Sequence, residues 1–410
     1  MMPESRKPNI RFKGFTEAWE QRKLNEIATF LTGSGLSWDN ISENGMQECI
    51  LYGNLYTDYG MIIEKVKYKT NKKISTPVLS QKGDVLIPAS DTTPTGLARA
   101  TSIEVSSVLL GGDINIIRPN SSYNGSCLSL VINANKKELI MLIKGTTVRH
   151  IHNSDIQNIE VNIPQVIEEQ EKLVELFKEL DNLITLHQHK CEKLQNIKKS
   201  MLEKMFPKNG NNVPEIRFKG FTEAWEQRKL NEVAEIVGGG TPSTSNPAYW
   251  DGDIDWYSPT EIGESVYANG SVRTISQLGY EKSSAKLLPA NKTILFTSRA
   301  GIGDMAILKR SGATNQGFQS LVLTSECDTY FIYSSGHKIK KYALTNASGS
   351  TFLEISGKQL GNMDILVPSI EEQKQIGSYF MQLDNLITLR QRECEKLQNI
   401  KKSMLEKMFV

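Results

Sequence analysis

Side chains that could do chemistry are scattered along this 410-residue chain, and few lie at spacings that a reaction or a metal needs. His187 and Cys191 share a helix face, a pattern that can bind a metal, but a second copy of the segment has Arg390 and Cys394 there. Arginine at a ligand position favours a seam or surface role. The run Arg149–His152 has two histidines on one side of an extended segment, without a third ligand nearby. We therefore predict no metal site.

Catalytic and cofactor motifs are equally weak. The chain has no Walker-type phosphate loop, and Gly301-Ile302-Gly303 is followed by Ala306 where a dinucleotide-binding fingerprint needs a third glycine. Asn246–Tyr249 is similar to the element with which amino-methyltransferases hold a flipped adenine, but it lacks the second proline and a preceding cofactor motif. We expect a non-catalytic chain with no cofactor of its own and no small-molecule substrate.

Polar loops that follow strand-like runs are the stronger candidates for a function. Arginine suits guanine edges, asparagine and glutamine suit adenine edges, and serine, threonine and backbone N–H groups suit phosphates. The loops recur at matching positions in the two halves with different residue types, which predicts two readers of different DNA sequences. The candidate DNA-binding residues are Ser90, Asp91, Thr92, Thr93, Arg99, Thr146, Thr147, Arg149 and His150 in the first half, and Thr241, Ser243, Tyr249, Ser298, Arg299, Asn315, Gln316, Gln319, Ser350 and Thr351 in the second.

Two blocks of sequence occur twice and must position these loops. Residues 10–26 and 216–232 are identical at all 17 positions, and residues 180–206 match residues 383–409 at 24 of 27 positions. The regions between the blocks share little sequence. This layout predicts a duplicated scaffold that holds two non-equivalent surfaces.

The second repeated block ends a long helical segment in each half. Pro164 and Pro207 bound the first segment, and Pro368 opens the second. Apolar residues recur at steps of three and four, the heptad spacing of a coiled coil, and we expect Ile197 and Ile400 to take over where lysines interrupt it. An ordinary core helix is the alternative. The candidate spacer-helix and partner-binding residues are Phe177, Leu180, Ile184, Leu194, Met201, Phe380, Leu383, Ile387, Leu397 and Met404.

Short apolar runs between turn-rich segments predict buried strands at 85–87, 114–117, 294–296 and 321–323. We predict an α/β (α+β) fold with two recognition domains, separated by two long antiparallel coiled-coil helices and related by a pseudo-twofold internal repeat. The predicted divisions are 1–163 for the first domain, 164–206 for the first helix, 207–215 for a linker, 216–367 for the second domain and 368–410 for the second helix.

Composition narrows the class of protein. No run approaches the roughly 20 apolar residues of a membrane helix, so no membrane partner is expected. Five scattered cysteines, without a CxxC pair or an apolar secretory signal, favour a reduced, cytoplasmic protein. The net charge of +2 supports nucleic-acid binding weakly, because such proteins usually have a basic face, although a patch can exist on a neutral total.

Several motifs together resemble the specificity (S) subunits of type I restriction–modification systems, over essentially all of the chain. The block with Phe15, Trp19 and Leu24 is present in both halves. The second half also has Gly239–Ser243 with Tyr249-Trp250, then Thr297–Gly303 with Asn315–Phe318, then Gly349–Thr351 before Val367-Pro368. The first half departs from this pattern, with Gly33–Trp38 and Gly112–Asn115 at the corresponding places.

The resemblance implies a non-catalytic platform for two methyltransferase subunits, which use S-adenosylmethionine to methylate adenine N6. Restriction subunits that use ATP and magnesium can be added. Each domain would read one half of a split, asymmetric double-stranded DNA target, with the paired helices as a spacer. A twofold-like reader meets half-sites about one DNA turn, roughly 10 base pairs, apart. We expect the identical blocks to form the partner surface and the divergent loops the DNA surface, with the adenine flipped into a partner's active site.

Two alternatives remain. An enzyme that modifies DNA itself would show methyl transfer by the purified chain alone. A repeat scaffold that binds only proteins would show no association with random duplexes, even with methyltransferase subunits present.

Overall fold

A computed structural model describes residues 7–208, 210–299, 301–349 and 353–409. The chain divides into two compact units. The first unit takes the residues up to Gln188 and those from Arg392 onward, and the second unit takes His189–Gln391. Each unit therefore combines the first part of one long helix with the last part of the other, whereas the domain boundaries predicted above follow the linear chain.

The elements follow the chain in two similar series, with 3-10 turns at Trp38–Asn40, Pro247–Tyr249 and Pro259–Glu261. The first series is β1 (Glu20–Lys23), α1 (Leu24–Ile27), β2 (Ala28–Thr32), β3 (Gln47–Ile50), α2 (Asn54–Thr57), β4 (Ile62–Ile63), β5 (Tyr68–Thr70), β6 (Asp84–Pro88), β7 (Ser90–Asp91), α3 (Pro94–Leu97), β8 (Thr101–Ile103), β9 (Leu109–Leu110), β10 (Ile114–Pro119), α4 (Gly125–Ala134), α5 (Lys136–Leu142), β11 (Arg149–His150), α6 (Asn153–Ile156), β12 (Glu160–Ile163) and α7 (Ile167–Lys204). The second series is β13 (Glu226–Lys229), α8 (Leu230–Val233), β14 (Ala234–Gly238), β15 (Trp250–Tyr257), β16 (Tyr267–Ala268), β17 (Arg273–Ile275), α9 (Gln277–Glu281), β18 (Thr293–Phe296), β19 (Met305–Leu308), β20 (Gly312–Thr314), β21 (Gln319–Leu323), α10 (Thr329–Ser334), α11 (Gly336–Asn346), α12 (Gly357–Gly361), β22 (Asp364–Val367) and α13 (Ile370–Met408).

The sheets have the same strand order in both units. The large sheet is β2-β10-β6-β8-β4 in the first unit and β14-β21-β18-β19-β16 in the second, and the small sheet is β5-β3-β9 or β17-β15-β20. The four predicted apolar runs lie in the middle of the large sheets, within β6, β10, β18 and β21. Strands β6 and β18 are buried along their whole length, as expected of apolar runs covered on both faces. The predicted mixed fold with an internal repeat is confirmed.

The long helices pair antiparallel within each unit. In the first unit the rings of Phe177 on α7 and Phe409 at the end of α13 lie 5.8 Å apart. In the second unit Phe206 at the end of α7 lies 6.1 Å from Phe380 on α13. Ile400 packs against the hydrophobic core of the first unit and Ile197 against that of the second, as predicted from the interruption of the heptads. Within each unit, the apolar stripe of one helix therefore packs into a core that the other helix and the globular part build together.

The 17-residue repeat forms the joint where these helices meet. In the first unit Arg11 makes a bidentate ion pair with buried Glu169 at 2.6 and 2.8 Å, and Ile10 N donates to Lys407 O at 3.0 Å. Trp19 packs edge-on against Phe409 at 5.8 Å. The second unit repeats all three contacts: Arg217 with Glu372, Ile216 N with Lys204 O, and Trp225 with Phe206. Packing at this joint is thus one physical reason for the identity of the blocks, beside the predicted partner surface.

Within the described part of the chain, no helix is both long enough and apolar enough to cross a membrane.

Candidate nucleic-acid interface

A tight turn after β18 places Ser298 and Arg299 at one end of the large sheet in the second unit. Thr297 Oγ1 accepts a hydrogen bond from Asp304 N at 2.9 Å, and Gly303 N donates to Thr297 O at 2.9 Å. Two glycines in this turn have φ values of +106° and +89°, which residues with a Cβ rarely adopt. The chain therefore reverses directly after the strand and leaves Arg299 half-buried at the surface.

The loop after β20 brings amide side chains to Arg299. Asn315 Oδ1 accepts a hydrogen bond from Gly317 N at 2.8 Å, and Ser298 N donates to Gly317 O at 2.8 Å. A Cβ at Gly317 would lie 2.8 Å from Pro259 Cγ and 3.0 Å from Asn315 Oδ1, so a side chain there would force these atoms apart. Arg299 Nε lies 3.5 Å from the same point. The two strand-end loops are fastened to each other through this glycine.

A third loop, Gly239–Ser243, completes the cluster. The indole N–H groups of Trp256 and Trp250 donate to two backbone carbonyls of this loop, at 2.8 and 3.1 Å. The Thr241 hydroxyl donates to Gln316 Oε1. The loop thus connects the buried tryptophans of the small sheet with the amide loop.

Most of the predicted residues of the second half therefore come together. Thr241, Ser298, Arg299, Asn315 and Gln316 lie on three connected loops, which we call the second-unit loop cluster. Of the other five predicted residues, Ser243 ends the third loop and accepts from the Trp250 indole, Tyr249 precedes Trp250, and Gln319 is opposite Gly238 in the β14–β21 pair. Ser350 and Thr351 are outside the described residues. The Asn246–Tyr249 motif is a 3-10 turn in which Asn246 Oδ1 accepts from Ala248 N at 3.2 Å, so the asparagine caps a turn.

The first unit builds its corresponding corner differently, from the short strand pair β7–β11. Ser90 Oγ lies 2.8 Å from His150 Nδ1, and Arg149 Nη1 donates to Thr92 O at 3.0 Å. Asp91 accepts from Thr92 N at 2.6 Å through one oxygen and from the Thr93 hydroxyl at 3.0 Å through the other. These contacts bring six predicted residues into one group, the first-unit corner, consisting of Ser90, Asp91, Thr92, Thr93, Arg149 and His150.

The other predicted residues of the first half lie elsewhere. Thr146 and Thr147 are exposed at the tip of a hairpin closed by Lys144 and His150, and so adjoin the first-unit corner. Arg99 lines a cavity along α7, and its Nη2 atom donates to Tyr59 O at 2.5 Å. Burial lowers the pKa of Arg99, and the charge of Asp181 on α7 partly offsets this effect. Arg99 thus lies between the globular part of the first unit and α7. This position does not support a role in reading bases.

The candidate helix residues lie in the intramolecular seams. Phe177, Leu180 and Ile184 are buried in the first unit, and the same holds for Phe380, Leu383 and Ile387 in the second. Leu397 and Met404 pack against the hydrophobic core of the first unit, and Leu194 and Met201 pack against that of the second. Burial leaves little of the first six residues for a partner chain, whereas the last four are only half-buried. The spacer-helix role of all ten stays a prediction.

Exposed leucines beside the seam were missed in the sequence. Leu183 and Leu186 are 43% and 47% exposed in the first unit, and their counterparts Leu386 and Leu389 are 42% and 48% exposed in the second. Residues three apart share one helix face, so each unit presents one apolar pair. The signal was available: these leucines lie off the heptad positions, within the repeated block, in both copies.

Two histidine patterns have ordinary contacts. The rings of His150 and His152 stack 6.2 Å apart, and His187 Nδ1 lies 2.9 Å from Glu393 Oε2 across the seam of the first unit. Among the residues that the structure describes, no group of three or more His, Cys, Asp or Glu side chains is arranged to hold a metal ion.

The sequence is similar to a family of known proteins and to individual members. A family model described as "Type I restriction modification DNA specificity domain" matches residues 16–196 and again residues 222–399. The type I restriction enzyme MjaIX specificity subunit of Methanocaldococcus jannaschii is 33% identical over 192 residues, which cover 45% of this chain and 44% of that protein. The EcoR124I/EcoR124II specificity subunit of Escherichia coli is 30% identical over 190 residues, 42% of this chain and 46% of that protein. The matched stretches thus span less than half the length of these two relatives.

The fold is also similar to a solved structure. The type I restriction–modification system S subunit from M. genitalium aligns with a TM-score of 0.66 at 14% identity, covering 99% of each chain. At this identity the likeness supports the fold alone. Because the family model matches both halves and most of the length, the chain belongs to the type I restriction–modification DNA specificity family, with one specificity domain in each half.

Proposed function

We propose that the chain is the specificity subunit of a type I restriction–modification complex and that each unit reads one half of a split DNA target. One observation carries this proposal: a common framework presents different polar side chains at corresponding loops. The first-unit corner has Ser90, Asp91, Arg149 and His150, whereas the second-unit loop cluster has Arg299 with the amides Asn315 and Gln316. Different side chains on one framework read different half-sites, so the target is not a palindrome.

The hydrogen bonds within the second-unit loop cluster favour one type of base edge. The side-chain oxygen of Asn315 accepts from Gly317 N, and that of Gln316 accepts from Thr241. Neither NH2 group donates to a described residue, so both amides have donors available to a ligand, and Arg299 adds further donors. Guanine presents two acceptors, N7 and O6, in the major groove. We propose that the second unit reads a half-site in which acceptor-rich guanine edges predominate.

In this proposal, partner subunits carry out the methylation and cleavage of DNA. Two adenine methyltransferase subunits, using S-adenosylmethionine, assemble on the chain, and restriction subunits that use ATP and magnesium join them in the cytoplasm. The exposed pairs Leu183/Leu186 and Leu386/Leu389 support two equivalent partner sites, because each unit has one copy. A duplicated surface binds two copies of one partner in the same way.

A domain exchange tests the proposal. Residues 27–163 are replaced by the corresponding region of another family member, and the methylated sequence is determined by methylome sequencing of cells that also carry the methyltransferase. We expect one half-site to change and the other to stay the same. A change in both half-sites, or in neither, would refute the assignment of one half-site to each unit.

A further inference from the structure

Trp38 differs from the other tryptophans of the chain. Its side chain is 59% exposed, whereas the other four are between 2% and 8% exposed. It lies in a 3-10 turn in which Asn40 Oδ1 accepts from Ser37 N at 2.9 Å, and its ring meets Tyr68 edge-on at 5.4 Å. The turn and Tyr68 thus fix the position of the indole, but the ring faces solvent. Burial of this apolar ring against a partner surface would be favourable.

A lysine-rich segment borders this ring. Residues 65–83 contain six lysines and no aspartate or glutamate. Along β5 and the residues before it, lysines alternate with inward-facing Val66, Tyr68 and Thr70, so the lysines lie on the outer face of an edge strand. The six residues are Lys65, Lys67, Lys69, Lys72, Lys73 and Lys82.

Three of these lysines have no partner within the described chain. Lys67 pairs with Asp58 at 2.7 Å, Lys82 lies 3.7 Å from Glu104, and Lys72 donates to Asn40 Oδ1 at 3.0 Å. The side chains of the remaining three are exposed and make no hydrogen bond or ion pair with a described residue, even though Glu48 is opposite Lys69 in the β3–β5 register. They are Lys65, Lys69 and Lys73.

A series of hydrogen bonds connects this surface with the first-unit corner. The Lys72–Asn40 hydrogen bond ties the lysine segment to the turn that carries Trp38. The chain before that turn pairs with the end of β9, where Ser34 N donates to Leu110 O at 2.9 Å. The loop that follows β9 reaches β7, because Ala89 N donates to Asp113 O at 2.8 Å. The exposed tryptophan and the corner with Ser90 therefore belong to one run of connected loops.

Among the described residues of the second unit, the small sheet carries no equivalent surface. There β17 takes the place of β5, and Arg273 lies 3.6 Å above the ring of Trp250. Trp250 and Trp256 are buried and hold the Gly239–Ser243 loop through their N–H groups. The tryptophans of this sheet stabilise the protein itself, whereas Trp38 of the first unit is left exposed.

We propose that Trp38 and the lysines of residues 65–73 form a strip with which the first unit holds the sugar–phosphate backbone of duplex DNA irrespective of its sequence. This inference rests on the proposed DNA-reading function. Lysines bind phosphates and release counterions, and an exposed ring covers apolar sugar surface. A purely structural role is the competing explanation, because lysines on edge strands prevent pairing with other chains.

Salt dependence distinguishes the two explanations. The full chain, assembled with its methyltransferase subunits, is titrated with a mixed-sequence duplex for the wild type and for Lys65→Ala/Lys69→Ala/Lys73→Ala. Loss of three phosphate contacts makes the log–log salt slope shallower by about 2.7, so the affinity advantage of the wild type shrinks about 40-fold between 50 and 200 mM salt. The matched triple Lys→Arg variant keeps the charges and is expected to keep the wild-type slope.

An unchanged slope in the alanine variant, with or without increased self-association, would overturn the proposal in favour of edge protection. Absence of duplex binding by the wild-type complex would instead remove the proposed function, and the strip with it. The two failures are therefore distinct. Sequence preference adds a further criterion: the alanine variant should methylate the same target as the wild type, and a changed target would contradict backbone binding.

Acrylamide quenching tests the role of Trp38 separately. The difference in fluorescence between the wild-type complex and its Trp38→Phe variant isolates this one indole from the tryptophans of the partner subunits. We expect saturating duplex to shield that difference signal from acrylamide. If the indole stays as quenchable with DNA as without it, Trp38 does not belong to the DNA-binding strip.

Discussion

Lys198 Nζ lies 2.5 Å from Asp384 Oδ1 in the seam between α7 and α13 of the second unit. The same pair recurs in the first unit, where Lys401 bonds to Asp181, and both pairs occupy equivalent positions of the repeat. These lysines interrupt the apolar stripes, and each ammonium group is paired with a carboxylate of the other helix. A shift of one helix past the other would bury lysines without partners, so the two ion pairs specify the register of the helices.

Asp384→Ala should destabilise the second unit more than Asp181→Ala destabilises the first. Asp384 is 8% exposed and also accepts from the Tyr330 hydroxyl at 2.8 Å, whereas Asp181 is 37% exposed. We expect a loss of about 3 kcal/mol for Asp384→Ala, near the lower limit for breaking a buried pair, and about 1 kcal/mol for Asp181→Ala. Hydrogen exchange with urea present measures each unit. Removing Lys198 as well should recover part of the loss, and equal losses at both sites would contradict this account.

Phe409→Ala should weaken the first unit, although residue 409 is far in sequence from residues 7–188. Phe409 is 6% exposed and packs on Trp19 and Phe177, both at 5.8 Å. Truncation of a buried phenylalanine costs about 3–5 kcal/mol. Amide exchange should therefore accelerate in the first unit, and the matched Phe206→Ala variant should accelerate exchange in the second. The opposite assignment would show that the helix ends are not shared between the units in this way.

Asp58 gives the first unit a pH dependence in acid. Burial by itself would raise the pKa of Asp58, but hydrogen bonds from Lys67, Thr57, Asn54 and Tyr68 outweigh it and lower the pKa to about 2. A depressed carboxyl pKa stabilises the folded state above the unfolded value near 4, and this contribution of about 2 kcal/mol is lost as the pH falls toward 2. Asp58→Asn should remove it at pH 7 and flatten the unfolding free energy between pH 4 and 2, as measured by denaturant titration. A slope identical to that of the wild type would exclude Asp58 as its origin.

Arg299→Ala should alter recognition at one base pair of one half-site. Arg299 is half-buried beside the Asn315 loop, and loss of a bidentate base contact would cost about 1–3 kcal/mol at that position. Methylation rates on a panel of duplexes with single base changes provide the measurement. Arg310→Ala is the control, because Arg310 is 60% exposed and lies 3.4 Å from Asp255. An equal loss on every duplex would instead assign Arg299 to a phosphate contact.

The exposed leucine pairs should each bind one methyltransferase subunit. Leu183→Asp/Leu186→Asp inserts charge into one apolar pair without touching the buried seam, and Leu386→Asp/Leu389→Asp does so in the other. We expect native mass spectrometry to show one methyltransferase subunit for either double variant and none for the combination. Full occupancy in the combined variant would exclude these leucines from the partner surface.

The sequence by itself determined the duplicated plan, the mixed fold and both long helices. Identical blocks, heptad spacing and proline boundaries are local patterns, and each of them constrains structure without knowledge of distant contacts. The helices indeed occupy Ile167–Lys204 and Ile370–Met408, and the predicted apolar runs form the middle of each large sheet. Residue type and loop position also singled out Arg299, Asn315 and Gln316 as candidates, although only the fold shows that their loops are connected.

The tertiary structure alone decided which surface each side chain occupies. Arg99 follows a polar loop in sequence, but folding places it against α7, where it donates to Tyr59 O. The lysines within the helix stripes are predictable as interruptions, yet their partners Asp181 and Asp384 lie about 200 residues away and meet them only when the helices pair. The exposure of a side chain is likewise decided by the fold: Trp38 and Trp250 are both tryptophans in turn-rich segments, but Trp38 is exposed and Trp250 is buried. Such contacts depend on the closure of long loops, which no local sequence pattern encodes.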